Sequence, residues 1–206
     1  MLSVQGNYPQ EEGAGASQRK RIMKLAIRMY GDPILREKGT QIEQFDDETR
    51  KVAENLIETM RGARGVGLAA QQIGETIPMC VIEYLQEQDV DECGDRLNPD
   101  ITMPLVLINP EIIDASVEAD SQTEGCLSFP DIEGSIKRSA EVTVRFQDVT
   151  GEQHELRFRG FLARVAQHEI DHLNGVLFID HMTPVRRIAL SGRLKRMRKE
   201  TQARLV

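Results

Sequence analysis

The sequence predicts an α+β fold in a single domain. Three observations carry this: strand-like runs gather in the middle of the chain, helical patterns lie towards its ends, and short hairpin turns connect the strands. A length of 206 residues suits one hydrophobic core and falls short of two. Hydrophobic content of 40% beside 29% charged residues is that of a globular chain, and aromatic content of only 4% leaves aliphatic side chains to fill the core.

The elements follow in order. Residues 1–23 are polar and Gly-containing and are expected to be a disordered extension, with structure beginning at Lys24. They hold no apolar run of a secretory signal, and Glu11 and Glu12 disfavour a transit peptide. Asp46 and Asp47 can cap a helix running to Gly62, with Val52, Leu56, Ile57 and Met60 at helical spacing. A Gly-rich stretch at 65–74 precedes a strand-like run from Met79 to Leu85. Residues 86–100, acidic and punctuated by Pro and Gly, read as a surface loop. Leu105 to Ile108 reads as a buried strand halted by Asn109 and Pro110. Val142, Val144 and Phe146 alternate with polar residues, as do Leu156 and Phe158, and the turn residues between them predict a hairpin. Gly160 to Asn174 reads as a helix stopped by Gly175, and a basic helix covers 184–200. No run reaches the roughly 20 apolar residues that a bilayer span needs.

Charge is divided unevenly. From Pro184 to Val206 eight basic residues face Glu200 alone, a net +7, so the rest of a chain of net −7 carries −14. Such a tail is where a polyanion would bind. Cys80, Cys93 and Cys126 are too few and too odd in number for a disulfide framework and fit a reducing compartment.

The chemistry gathers in three stretches. Gln167-His168-Glu169-Ile170-Asp171-His172 puts two imidazoles one helical turn apart, on a face that Phe161 and Val165 share. Two imidazoles so placed can reach one metal ion, and Glu169, about 100° round the helix, can stand beside it as a general base. The same pattern also arises in solvated helices, and two histidines do not close a site. Glu124-Gly125-Cys126-Leu127-Ser128 offers a thiolate as third ligand, although a Cys126 taken alone is more often a small buried hydrophobe than a ligand. That plainer reading stands for Cys80 and Cys93, and His154 and His181, without partners at ligand spacing, read as surface residues. Gly65 to Gly74 is either a tight turn or a place where a ligand's backbone comes close, with Gln72 as an amide donor. No third Gly and no Gly-Lys-Ser/Thr marks it as a nucleotide loop.

Taken together and in this order, the three stretches resemble the signature motifs of the peptide deformylase family. Gly65, Gly67, Leu68, Ala69, Ala70 and Gln72 match the first, Glu124 to Ser128 the second, and Gln167, His168, Glu169, Asp171 and His172 the third. The likeness continues through Leu173, Gly175, Leu177, Phe178 and Asp180, and spans about residues 24–185 as a catalytic domain, leaving 186–206 as a basic tail. The resemblance implies antiparallel or mixed β-sheets packed around a central metal-bearing helix, with a C-terminal helix beyond. It implies that Cys126, His168 and His172 bind one divalent metal, usually Fe²⁺, with Zn²⁺, Ni²⁺ or Co²⁺ as alternatives. Glu169 would move the proton, and Gln72 with the backbone N–H of Leu127 would stabilise the oxyanion as formate leaves an N-formylmethionyl peptide. The peptide would lie extended along Val66, Gly67 and Gly125.

Other readings stay open. Arg164 stands where family members often carry an apolar residue, and is expected to snorkel outward with its stem lining the pocket. Asp171 is either an acceptor paired with a cation such as Arg138 or an ordinary exposed acid. The basic helix is either solvated and packed through Ile188, Leu190, Leu194 and Met197, or a ribosome contact. A zinc peptidase is disfavoured by Cys126, and a catalytically dead ribosome-binding module by the intact Glu169 and ligand set. The bacterial cytoplasm is the expected compartment.

Overall fold

A five-stranded sheet and a separate two-stranded hairpin close around one helix in the computed structural model, which describes residues 24–85, 89–91 and 93–205. The expected disordered extension lies outside the described residues, as do 86–88 and 92 of the acidic loop. Helix α1 (Asp47–Gly62) starts where the Asp46 carboxylate accepts hydrogen bonds from the N–H groups of Glu48 and Thr49, both at 3.0 Å. Such a cap contributes about 1 kcal/mol. The helix buries Leu56 and Met60 against Leu68, Met79 and Val81.

The sheet runs β1 (Gly67–Ala69), β2 (Met79–Ile82), β3 (Leu105–Ala115), β6 (Glu141–Gln147) and β7 (Gln153–Arg159), in that spatial order. The hairpin is β4 (Ala119–Gly125) with β5 (Glu133–Ser139), and every strand pair is antiparallel. Helix α2 (Gly160–Leu173) packs against strands of both sheets, its Leu162, Val165, Ala166 and Ile170 meeting Ile82, Leu107 and Val144 in one apolar cluster. Helix α3 (Pro184–Arg204) opens with Thr183 as cap and Pro184 in the first turn. No helix among the described residues is long and apolar enough to cross a membrane.

The structure departs from the sequence reading at several places. Strand β3 does not halt at Asn109-Pro110. A register shift between Ile108 and Glu111 carries the chain past the proline, and Asn109, at φ +50°, holds Ile42 on both sides through its side-chain amide. The β4–β5 hairpin was not expected, because Gly134 and Arg138 occupy buried positions of β5 where apolar residues would have revealed the alternation. Strand β2 ends at Ile82 rather than Leu85. Ile188 is 73% exposed, so α3 packs through Leu190, with Leu194 and Met197, but not through Ile188.

Two irregular segments bind the rest together. Residues 28–39 form a strap that gives one backbone hydrogen bond to each motif region: Arg28 N–H to the Gln72 carbonyl at 2.8 Å, Tyr30 N–H to Ser128 at 2.9 Å, and Gly39 N–H to Leu173 at 3.2 Å. The described part of the 86–100 region, residues 89–91 and 93–100, is more than a surface loop. Asn98 grips the backbone of Arg159 from both sides, and buried Asp89 accepts from Asn98 and from the Tyr84 hydroxyl. Arg159 begins α2 without a side-chain cap of its own, so this loop fixes where the helix starts.

Candidate metal centre

Helix geometry sets His168 and His172 one turn apart on the buried face of α2, and the turn after β4 brings Cys126 against them. The Cys126 sulfur lies 3.3 Å from His172 Nε2, and one donor atom from each of Cys126, His168 and His172 falls within 4.8 Å of the others. Two ligands at about 2.0–2.3 Å from one tetrahedral ion are roughly 3.5 Å apart, so the triangle has the span that an ion requires.

The surroundings fit a cation as well. His168 Nδ1 lies 3.0 Å from Glu124 Oε2, a contact that fixes Nδ1 as the protonated nitrogen and leaves the other as a lone pair. Burial resists protonation of His168, yet the Cys126 sulfur and the Glu124 carboxylate push its pKa well up, a preference for positive charge that a bound cation would satisfy in place of the second ring proton. Burial and the charge on His168 hold His172 well below the ordinary value, in the neutral form that binds metals.

Glu124 is the functional residue that sequence reasoning passed over. It is fully buried, and it takes hydrogen bonds from His168, from Arg138 Nε and Nη2 (both 3.1 Å), and from Arg164 Nη1 (2.7 Å). Burial works to raise its pKa, but the hydrogen bonds from His168 and Arg138 hold it down at about 2. Its place inside the Glu-Gly-Cys-Leu-Ser stretch was a signal. Its contact with a histidine far along the chain was not readable.

Arg164 corrects another expectation. Its side chain is 2% exposed and does not snorkel outward or line the cavity. It points into the protein to pair with Glu124 and Asp120, because a buried carboxylate beside a histidine calls for cations. Asp171 lies 2.5 Å from Arg138 Nη1 and 2.8 Å from His181 Nε2, so it is paired rather than solitary. His154 also has neighbours: donor atoms of Asp148 and Glu152 lie within 4.8 Å of its own, although Asp148 is occupied in closing the β6–β7 turn. Cys80 is buried in β2 and Cys93 is exposed in the acidic loop, both as free thiols.

The triangle opens into a cavity of about 360 Å³. Val66, Gly67, Gln72, Gly125, Leu127 and Glu169 all line it, so every residue expected at the site meets there except His172, which reaches it through Cys126. Glu169 is 4% exposed, with Oε2 buried and without a hydrogen-bond partner among the described residues. Burial pushes its carboxyl up to about 7. Gly67 permits this placement, since a Cβ there would stand 2.4 Å from Glu169 Oε1. Gln72 is oriented at both ends: its Oε1 accepts from Ala69 N–H at 2.9 Å, which turns Nε2 to Ser128 Oγ at 3.1 Å and the Cys126 sulfur at 3.4 Å. Among the described residues, strand β1 is the edge of its sheet, paired with β2 on one side only.

Known proteins are similar to this chain in sequence and in fold. The family model described as polypeptide deformylase matches residues 24–187. The peptide deformylase of Opitutus terrae is 44% identical over 186 residues, covering 88% of this chain and 96% of that protein. That of Thermotoga neapolitana is also 44% identical, over 82% of this chain and 93% of its own. Among solved structures, the Thermotoga maritima peptide deformylase superposes with a TM-score of 0.68 at 40% identity, covering 79% of this chain and 99% of that one. The Plasmodium falciparum enzyme gives 0.74 at 34% identity, over 86% and 97%. With the three motifs gathered on one cavity and these likenesses running through nearly the whole described chain, the protein belongs to the polypeptide deformylase family.

Proposed function

We propose that the cavity hydrolyses the N-formyl group of N-formylmethionyl nascent chains, releasing formate and a free N-terminal methionine. The observation that carries this reading is the Cys126–His168–His172 donor triangle with Glu169, whose Oε2 has no hydrogen-bond partner among the described residues, in the same cavity wall. One thiolate and two imidazoles would hold a divalent ion, which supplies a Lewis acid for the formyl oxygen and acidifies a water. Fe²⁺ is the metal we assign, and Zn²⁺, Ni²⁺ and Co²⁺ suit the same donors.

The chain's own groups do the rest. Glu169 takes a proton from the water as its oxygen bonds to the formyl carbon, then returns that proton to the departing amine as the C–N bond breaks. Gln72 Nε2, held by Ala69 and Ser128, donates to the developing oxyanion together with the Leu127 backbone N–H. The free edge of β1 accepts the peptide as an added strand along Val66 and Gly67, opposite Gly125. The methionine side chain is bound by burial against apolar wall residues such as Val165. Helix α3, with its run of arginines and lysines, makes the ribosome contact by attraction to RNA phosphates, and the working compartment is the bacterial cytoplasm.

The test is formate release from formyl-Met-Ala-Ser by protein loaded anaerobically with Fe²⁺, beside Glu169→Ala. The expected result is turnover in the wild type and a loss of about 10²–10⁴-fold in the variant at unchanged metal content. A fully metallated wild type that released no formate would overturn the reading.

A further inference from the structure

The segment from Phe129 to Glu133 has two faces. One lines the cavity, with Phe129, Ile132 and Glu133 among its wall residues. The other rests on α3, where Leu190 is buried in the same apolar cluster as Phe129 and Ile132, with Leu194 and Met197 packed against it. Arg186, Leu190, Arg193 and Met197 recur at intervals of four, three and four residues, so they share one stripe of that helix. The two arginines of this stripe reach the cavity wall itself. Arg186 Nη2 donates to the carbonyl of Glu133 at 3.2 Å, and Arg193 Nη2 donates to the carbonyl of Asp131 at 2.5 Å.

Asp131 is the weak point of that wall. It holds φ at +59°, a left-handed conformation uncommon outside glycine although aspartate adopts it more readily than most, and it is exposed. The orientation of its carbonyl sets the peptide plane leading to Ile132 and Glu133, and therefore the direction those residues take into the cavity. A charge-assisted hydrogen bond on that carbonyl selects one orientation.

We propose that Arg186 and Arg193 are positioning residues that clamp the 131–133 wall in the shape a peptide substrate meets. The proposal rests on the deformylase reading. Neither arginine lines the cavity or touches Glu169 or the metal-ligand triangle, so loss of the clamp loosens peptide binding and leaves the chemical step intact.

The test is a steady-state comparison of the metallated wild type with Arg186→Met/Arg193→Met, in which methionine keeps an apolar stem and removes the donors. The expected result is a KM for formyl-Met-Ala-Ser raised roughly five- to tenfold with kcat held within about twofold. KM for formyl-methionine amide should move less, and Arg186→Met/Arg193→Lys, which restores one cationic donor, should recover most of the loss. An unchanged tripeptide KM overturns the proposal. So does a parallel fall in kcat and melting temperature without rescue by lysine, which would mark a structural role only. A wild type without formate release would remove the deformylase reading beneath it.

Discussion

Replacing Arg164 with methionine tests the buried charge network directly. The wild-type guanidinium donates to Glu124 Oε1 (2.7 Å), the Ile136 carbonyl (3.0 Å), and the Asp120 carbonyl and carboxylate (3.1 and 2.6 Å). Asp120 is 48% exposed, and its pair with Arg164 is worth under about 1 kcal/mol. Glu124 is the expensive partner, because it is wholly buried and must stay ionised beside His168. Breaking a buried pair costs about 3–5 kcal/mol, and Glu124 keeps Arg138 and His168, so the low end of about 3 kcal/mol applies. For a domain of this size each kcal/mol moves the melting midpoint by about 2–4 °C, giving a fall of roughly 6–12 °C. Circular dichroism melts at matched metal content would read it. A fall below about 2 °C, or an altered KM with unchanged stability, would refute the reasoning and restore a pocket-lining role for the side chain.

Three further outcomes follow from the same structure. Gly67→Ala drives a methyl into Glu169, whose Oε1 and Cδ stand 2.4 and 2.8 Å from the new carbon; formate release should fall by about 10²-fold or more with metal content unchanged by elemental analysis. Gln72→Leu removes the oriented amide donor and should lower kcat about 10²–10³-fold with little change in KM, as steady-state kinetics would register. Asp148, whose carboxylate is held down at about 2 by Thr150, His154 and Glu152 against the upward pull of burial, stabilises the fold above its unfolded value near 4 and loses that contribution as pH falls towards 2. Urea midpoints should therefore separate wild type from Asp148→Ala by roughly 1 kcal/mol at pH 6, and the gap should narrow between pH 4 and pH 3.

What the sequence made legible was whatever depends on local spacing. The His168–His172 pair follows from helical periodicity, and the limits of α1 and α2 follow from Asp46, Gly62 and Gly175. Cys126 was legible only through its motif, since nothing local distinguishes a ligand thiol from a buried one. The contacts that support the site span the chain and were hidden: Glu124 under His168, Arg164 turned inward to meet it, and Asn98 holding the start of α2. The β4–β5 hairpin was hidden for another reason, because its inward positions include a glycine and an arginine that break the alternation by which a strand is read.

The strap of residues 28–39 has a consequence for how the protein is made. It leaves the ribosome before every group of the catalytic apparatus, yet its three hydrogen-bond acceptors, Gln72, Ser128 and Leu173, emerge one after another, the last of them beyond His172. Local order can be reached in stages, as α1 and then the hairpins are synthesised. The strap can be fully satisfied only when α2 is complete, so its long loops close late and slow the final step. Truncation within this irregular stretch would remove no member of the catalytic set and would still leave the three regions untied.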